Sequence, residues 1–125
     1  MQKELIVITK AKDLCSYILT VTEKSPKRFR FTLTTRLQNL SLDIIERLFR
    51  ANDVFVQNKG DEFNKRLNLQ HEAITATKLL GYIALLSYEQ GAILLKQYEL
   101  ITKRVSDVQN LIGAWIKSDR ERFEH

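Results

Sequence analysis

Proline and glycine are nearly absent: one proline and four glycines in 125 residues. Sandwiches and barrels reverse direction at many turns, and turns draw on these two residues, so an all-β architecture is excluded. The same scarcity excludes collagen-like and low-complexity chains. A single cysteine, Cys15, leaves no intrachain disulfide framework and suits a reducing, cytoplasmic setting. No apolar run approaches the roughly 18 residues of a membrane helix, so no membrane partner is expected. The opening Met1-Gln2-Lys3-Glu4-Leu5-Ile6-Val7-Ile8-Thr9-Lys10 has a short apolar run and no small-residue cleavage site, so no signal peptide is expected.

What remains is the composition of one globular domain, 44% hydrophobic and 28% charged. Its length allows a real core without disulfides or a metal. The formal net charge of +5 is unevenly spread. The first thirty residues carry seven Lys/Arg against three Asp/Glu, whereas residues 89–125 balance at six and six. The excess is densest in Lys24-Ser25-Pro26-Lys27-Arg28-Phe29-Arg30-Phe31. A basic patch favours polyanionic partners.

Four segments space their apolar residues by threes and fours, which places each set on one helix face. They are Val7, Ala11, Leu14, Ile18, Val21; Leu33, Leu37, Leu40, Ile44, Leu48, Ala51, Phe55; Leu69, Ala73, Ala76, Leu80, Ile83; and Leu94, Tyr98, Ile101, Val105, Val108, Ile112, Trp115. Second rows lie beside them, as in Leu42, Ile45 and Phe49, or Ile93, Leu100 and Leu111. Wide stripes suit bundle helices that touch two neighbours, and any surplus can be buried by oligomerisation. The spacing predicts helices near 4–23, 32–57, 62–86 and 88–118. Pro26 breaks the chain, since it pushes Ser25 out of helical geometry. Thr35 with Gln38 resembles a capping box, with Thr32 an alternative cap; Ser87 with Gln90 is a second candidate. Asn58-Lys59-Gly60-Asp61 reads as a tight turn. Short second and third loops make the helices antiparallel neighbours. The fold expected is therefore all-α, an up-down-up-down four-helix bundle over residues 1–118. Residues 119–125, a charged stretch without apolar rhythm, read as a frayed tail.

Catalytic and metal chemistry find no support. His71-Glu72 opens like a zinc-protease helix, but Thr75 stands where the second histidine belongs. Neither His71 nor His125 has a glutamate three residues before it, as a di-iron bundle needs. Cys15 lies on the apolar side of the first helix and reads as a small buried hydrophobe. There is no G-x-S-x-G turn, no P-loop and no dinucleotide fingerprint. No metal, cofactor or enzymatic activity is expected. Gly81 and Gly113, inside helices, suggest close helix approach. Arg36 and Arg47 suggest pairing with Asp43.

The run Lys27-Arg28-Phe29-Arg30-Phe31 is the strongest functional signal. Cations neutralise phosphates, and exposed rings or guanidinium planes stack on unpaired bases. Alternatively the two rings staple the loop onto the bundle end and the cations face water. Lys65, Arg66, Lys78, Lys103 and Arg104 supply further cations on the last two helices.

The stretch Arg30-Phe31-Thr32-Leu33, followed by Arg36-Leu37-Gln38 after a Pro-basic turn, resembles the Avd-like four-helix bundle family. That family includes accessory variability proteins of diversity-generating retroelements and small bundles encoded in intervening sequences of ribosomal RNA genes. Tyr98-Glu99 and Leu111-Ile112-Gly113-Ala114-Trp115-Ile116-Lys117 resemble its closing helix. The resemblance spans about residues 8–118. It implies a pentameric ring of bundles that is itself non-catalytic. It also implies binding to reverse transcriptase and template RNA, in support of mutagenic cDNA synthesis; the basic charge leaves DNA as a further polyanionic partner. On their charge, the nucleic-acid-binding residues expected are Lys27, Arg28 and Arg30, then Lys65, Arg66, Lys78 and Arg104. A ribosomal intervening-sequence bundle without an RNA role, and a protein–protein adaptor, are the alternatives.

Overall fold

In a computed structural model, which describes residues 2–57 and 60–123, the chain forms four α-helices. They are α1 (Gln2–Thr22), α2 (Thr35–Asp53), α3 (Asp61–Gln90) and α4 (Leu95–Phe123). A short 3-10 turn (Lys27–Phe29) and a π turn (Arg30–Thr34) lead into α2. The pairs in contact are α1 with α2, α2 with α3, α3 with α4, and α4 with α1. Three cross-helix contacts fix the directions. Gln38, at the start of α2, donates to Thr22 Oγ1 at the end of α1 at 2.9 Å. Arg47, late in α2, meets Glu72, early in α3, at 3.3 Å. Arg66, early in α3, meets Asp119, late in α4, at 2.7 Å. Each neighbour is antiparallel, giving the up-down-up-down four-helix bundle.

The expected apolar row of α1 is buried at every position. In α2 the row from Leu37 to Ala51 is buried, and in α4 the row from Ile101 to Trp115. In α3 the buried row differs from the expected one. It runs Phe63, Arg66, Gln70, Ala73, Thr77, Leu80, Ala84, Ser87, half of it polar. Leu69, Ala76 and Ile83 lie one step aside, half-buried at the edge of the core.

The helix ends also depart from the sequence pattern. α2 stops at Asp53, because Val54 turns to an extended conformation (φ −74°, ψ 116°) and sends Val56 into the bundle end. Phe55, expected in the core, is consequently 74% exposed. Asn58 and Lys59, half of the expected tight turn, lie outside the described residues; Gly60 takes a positive φ of 154° just before α3. Ser87 does not start a helix. Its hydroxyl donates to Ile83 O within α3, which continues to Gln90. Gly91 stops it, at φ 88° in the left-handed region, and Ala92 N–H closes on Ser87 O at 2.7 Å. Gln97 Oε1 then accepts the Leu94 N–H, the returning half of a capping box. Thr35 forms no capping box either, since its hydroxyl donates back to Arg30 O and Gln38 reaches α1.

Residues 119–123 are not a frayed tail. They are the last turn of α4, and Asp119 is 1% exposed because it is held by Arg66 and Gln70. The glycines inside helices do not mark close approach. A β-carbon on Gly81 or Gly113 would meet nothing within 4 Å.

Candidate nucleic-acid interface

The segment between α1 and α2 is shaped by a few local bonds. Thr22 hydroxyl turns back to Ile18 O at 2.6 Å and Pro26 extends the chain (ψ 141°). Ser25 Oγ donates to Ala92 O at 2.7 Å, which ties this segment to the turn between α3 and α4. Phe29 N–H closes on Pro26 O at 3.0 Å and forms the 3-10 turn that carries Lys27 and Arg28. The π turn then carries Arg30 and Phe31 into α2. Such wide turns are uncommon and recur at functional positions.

Lys27, Arg28 and Arg30 are all exposed on this rim. None forms an ion pair among the described residues. Arg28 stacks over the Phe29 ring at 4.5 Å, and its Nη2 lies 3.9 Å from where a β-carbon on Gly91 would stand. The two rings behave differently. Phe29 is half-buried and carries Arg28 on its face; Phe31 is 85% exposed, the most exposed large apolar side chain described.

The other four expected residues do not join this cluster. Lys65 is exposed near the opposite end, roughly 39 Å along α3 from Gly91 at 1.5 Å per residue. There it lines a groove of about 730 Å³ with Asp61, Glu62 and Glu72. Lys78 is exposed midway along α3. Arg104, on α4, faces α1, the helix diagonal to α3, with its guanidinium 5.3 Å from the Tyr17 ring. It shares a cleft of about 300 Å³ with Lys10, Asp13, Lys103 and Asp107, and its Nε is buried without a partner.

Arg66 is no surface cation. It is 7% exposed, grips Asp119 with two bonds, and gives a third, at 3.2 Å, to Val54 O. Gln70 and Arg122 also donate to Asp119, each at 3.0 Å. Trp115 and Phe123 flank the guanidinium at 5.4 and 5.8 Å. Burial pushes the Asp119 carboxyl up, but the Arg66 hydrogen bonds and charge, with Gln70 and Arg122, outweigh it and hold it below the ordinary 3.8. The signal for this network lies in the sequence: Arg66, Gln70 and Thr77 fall in phase with Ala73 and Leu80, on the row that faces the core.

Arg47 pairs with Glu72 of α3 rather than with Asp43, and Arg36 forms no ion pair among the described residues; Arg50 pairs with Glu46. His71 is exposed on α3, and His125 lies outside the described residues. Among the described residues no three His, Cys, Asp or Glu side chains gather as a metal site would need. No helix among them is long and apolar enough to cross a membrane.

The likeness to solved structures agrees with this fold. The chain is similar to a protein of unknown function from the S23 ribosomal protein family of Bacteroides thetaiotaomicron, whose crystal structure was determined at 1.70 Å. The TM-score is 0.74 at 20% identity, covering 92% of this chain and 98% of that one. No family model matches the sequence. No curated protein matches it.

Proposed function

We propose that this chain is a non-catalytic, nucleic-acid-binding bundle of the cytoplasm. It serves as the accessory protein of a diversity-generating retroelement, holding reverse transcriptase and template RNA together. The observation that carries the reading is the rim of Lys27, Arg28 and Arg30, three exposed cations without carboxylate partners among the described residues, fixed in place by Ser25 on Ala92. A chain of +5 presents a modest field. A ring of five copies repeats the rim and turns it into a strong one.

Fluorescence anisotropy with a structured RNA and a matched single-stranded DNA, at two salt concentrations, tests this. Binding should weaken steeply with salt, with a log–log slope of about 0.7–0.9 per phosphate neutralised. Arg28→Glu with Arg30→Glu should abolish it. An absence of binding at low salt removes direct nucleic-acid contact by this chain and turns the search to a protein partner.

A second reading is a bundle encoded in a ribosomal RNA intervening sequence, brought forward by the ribosomal family named for the similar structure. Gene context separates the two: a neighbouring reverse-transcriptase gene with variable repeats, or a position within a ribosomal RNA gene. A third is a protein–protein adaptor, supported by Leu42 and Phe49, about half exposed along α2. A stable monomer would favour it.

A further inference from the structure

The basic rim holds one feature that phosphate binding does not need. Phe31 is 85% exposed, although it stands about one turn from the buried Thr34 and about two from the buried Leu37. The reason is geometric. The α2 core row steps back from Leu37 to Thr34, and the π turn places Phe31 off that row. Arg30 and Phe31 therefore leave the bundle together, beside Arg28 and Lys27. The neighbouring ring, Phe29, already carries the Arg28 guanidinium on its face. Among the cation–ring and ring–ring pairs of the described residues, Phe31 has no partner.

We infer that the rim takes single-stranded nucleic acid, with one unpaired base stacked on the Phe31 ring and the adjoining phosphates on Lys27, Arg28 and Arg30. The inference rests on the nucleic-acid reading above and specifies the form of the ligand. An uncovered π-face framed by cations on a fixed backbone matches a nucleotide, which pairs a flat ring with a negative charge. A duplex presents phosphates to the same cations but keeps its base faces within the stack, so it leaves Phe31 idle. The stacking face selects no particular base, because every base has one.

The test compares a short single-stranded oligouridine with a blunt RNA duplex of the same length, by anisotropy at low salt. Phe31→Ala should weaken oligouridine binding about tenfold, within the roughly 5- to 150-fold range of one stacked base, and leave duplex binding unchanged. Phe31→Tyr should bind as the parent does. Phe31→Trp adds an exposed indole whose emission oligouridine should quench. The native Trp115, 1% exposed, serves as an internal constant. Thermal midpoints of the variants should match the parent, since residue 31 packs against little.

Equal loss on both ligands overturns the inference, because the ring would then only shape the rim. So does an unchanged affinity in Phe31→Ala; with salt-dependent binding intact, the phosphate reading survives alone. If polyglutamate rather than RNA binds with the Phe31 dependence, the rim is a protein-docking surface and both readings fall. If the parent binds neither RNA, both fall as well.

Discussion

Arg66 and Asp119 meet across α3 and α4 as a two-pronged pair, with Nε 2.8 Å from Oδ2 and Nη2 2.7 Å from Oδ1. The pair lies near the bundle end at which α2 stops, and Arg66 also holds Val54 O there. One pair therefore fastens the ends of α2, α3 and α4. Removing one partner leaves a buried charge unmatched, which costs far more than removing both.

Arg66→Met should accordingly destabilise the protein by about 3–5 kcal/mol, and Asp119→Leu by a similar amount. The double substitution should recover most of that loss. Urea denaturation of the four proteins of this cycle measures it. Single losses under about 1 kcal/mol would mean that the pair behaves like an exposed one.

Acid should weaken the same fastening. The folded Asp119 carboxyl is held below its ordinary 3.8, chiefly because Arg66 outweighs the opposing effect of burial. Its contribution is thus complete above that value and is lost as pH falls through the lower folded one. Stability followed by denaturant midpoint from pH 6 downward should drop more steeply in the parent than in Asp119→Asn. Parallel curves would place the acid sensitivity elsewhere.

The glycines predict opposite signs. Gly81 and Gly113 sit in helices with open space at the β-carbon position, so alanine at either should stabilise by about 1 kcal/mol. Gly91 holds φ 88°, where alanine is strained, and Gly91→Ala should destabilise by about 1 kcal/mol. Thermal midpoints of the three variants, measured under one buffer condition, decide the matter. A destabilised Gly113→Ala would reveal that a second copy covers this face.

Cys15 is 4% exposed and its sulfur is 3.3 Å from the Ser41 hydroxyl. It should therefore react with an aromatic disulfide only when the bundle opens, so labelling should follow the global unfolding equilibrium as urea is raised. Rapid labelling of the native protein would show that α1 separates from α2 on its own.

The expected rows of α1, and of α2 and α4 over most of their length, lie in the core because apolar side chains recur there at helical spacing. The α3 row was less legible. Its face interleaves Arg66, Gln70, Thr77 and Ser87 with Phe63, Ala73, Leu80 and Ala84, so hydrophobic spacing points one step aside, to Leu69, Ala76 and Ile83. Of the expected binding residues, Lys27, Arg28 and Arg30 were legible as a cluster because they are contiguous. Lys65 lies toward the other end of the bundle, Lys78 is exposed midway along α3 and Arg104 turns to Tyr17 of α1, placements that depend on helix length and facing.

The sequence alone determined the helical class, the single bundle, the antiparallel order and the basic rim, since each follows from local spacing, short connections or adjacent residues. Only the tertiary structure decided that Arg66 pairs with Asp119, that α4 runs on through Asp119, and that of two neighbouring rings Phe29 is half-buried while Phe31 stands free. A buried charge is stable only beside its partner, and Asp119 lies 53 positions from Arg66, a distance that folding closes and no local pattern records.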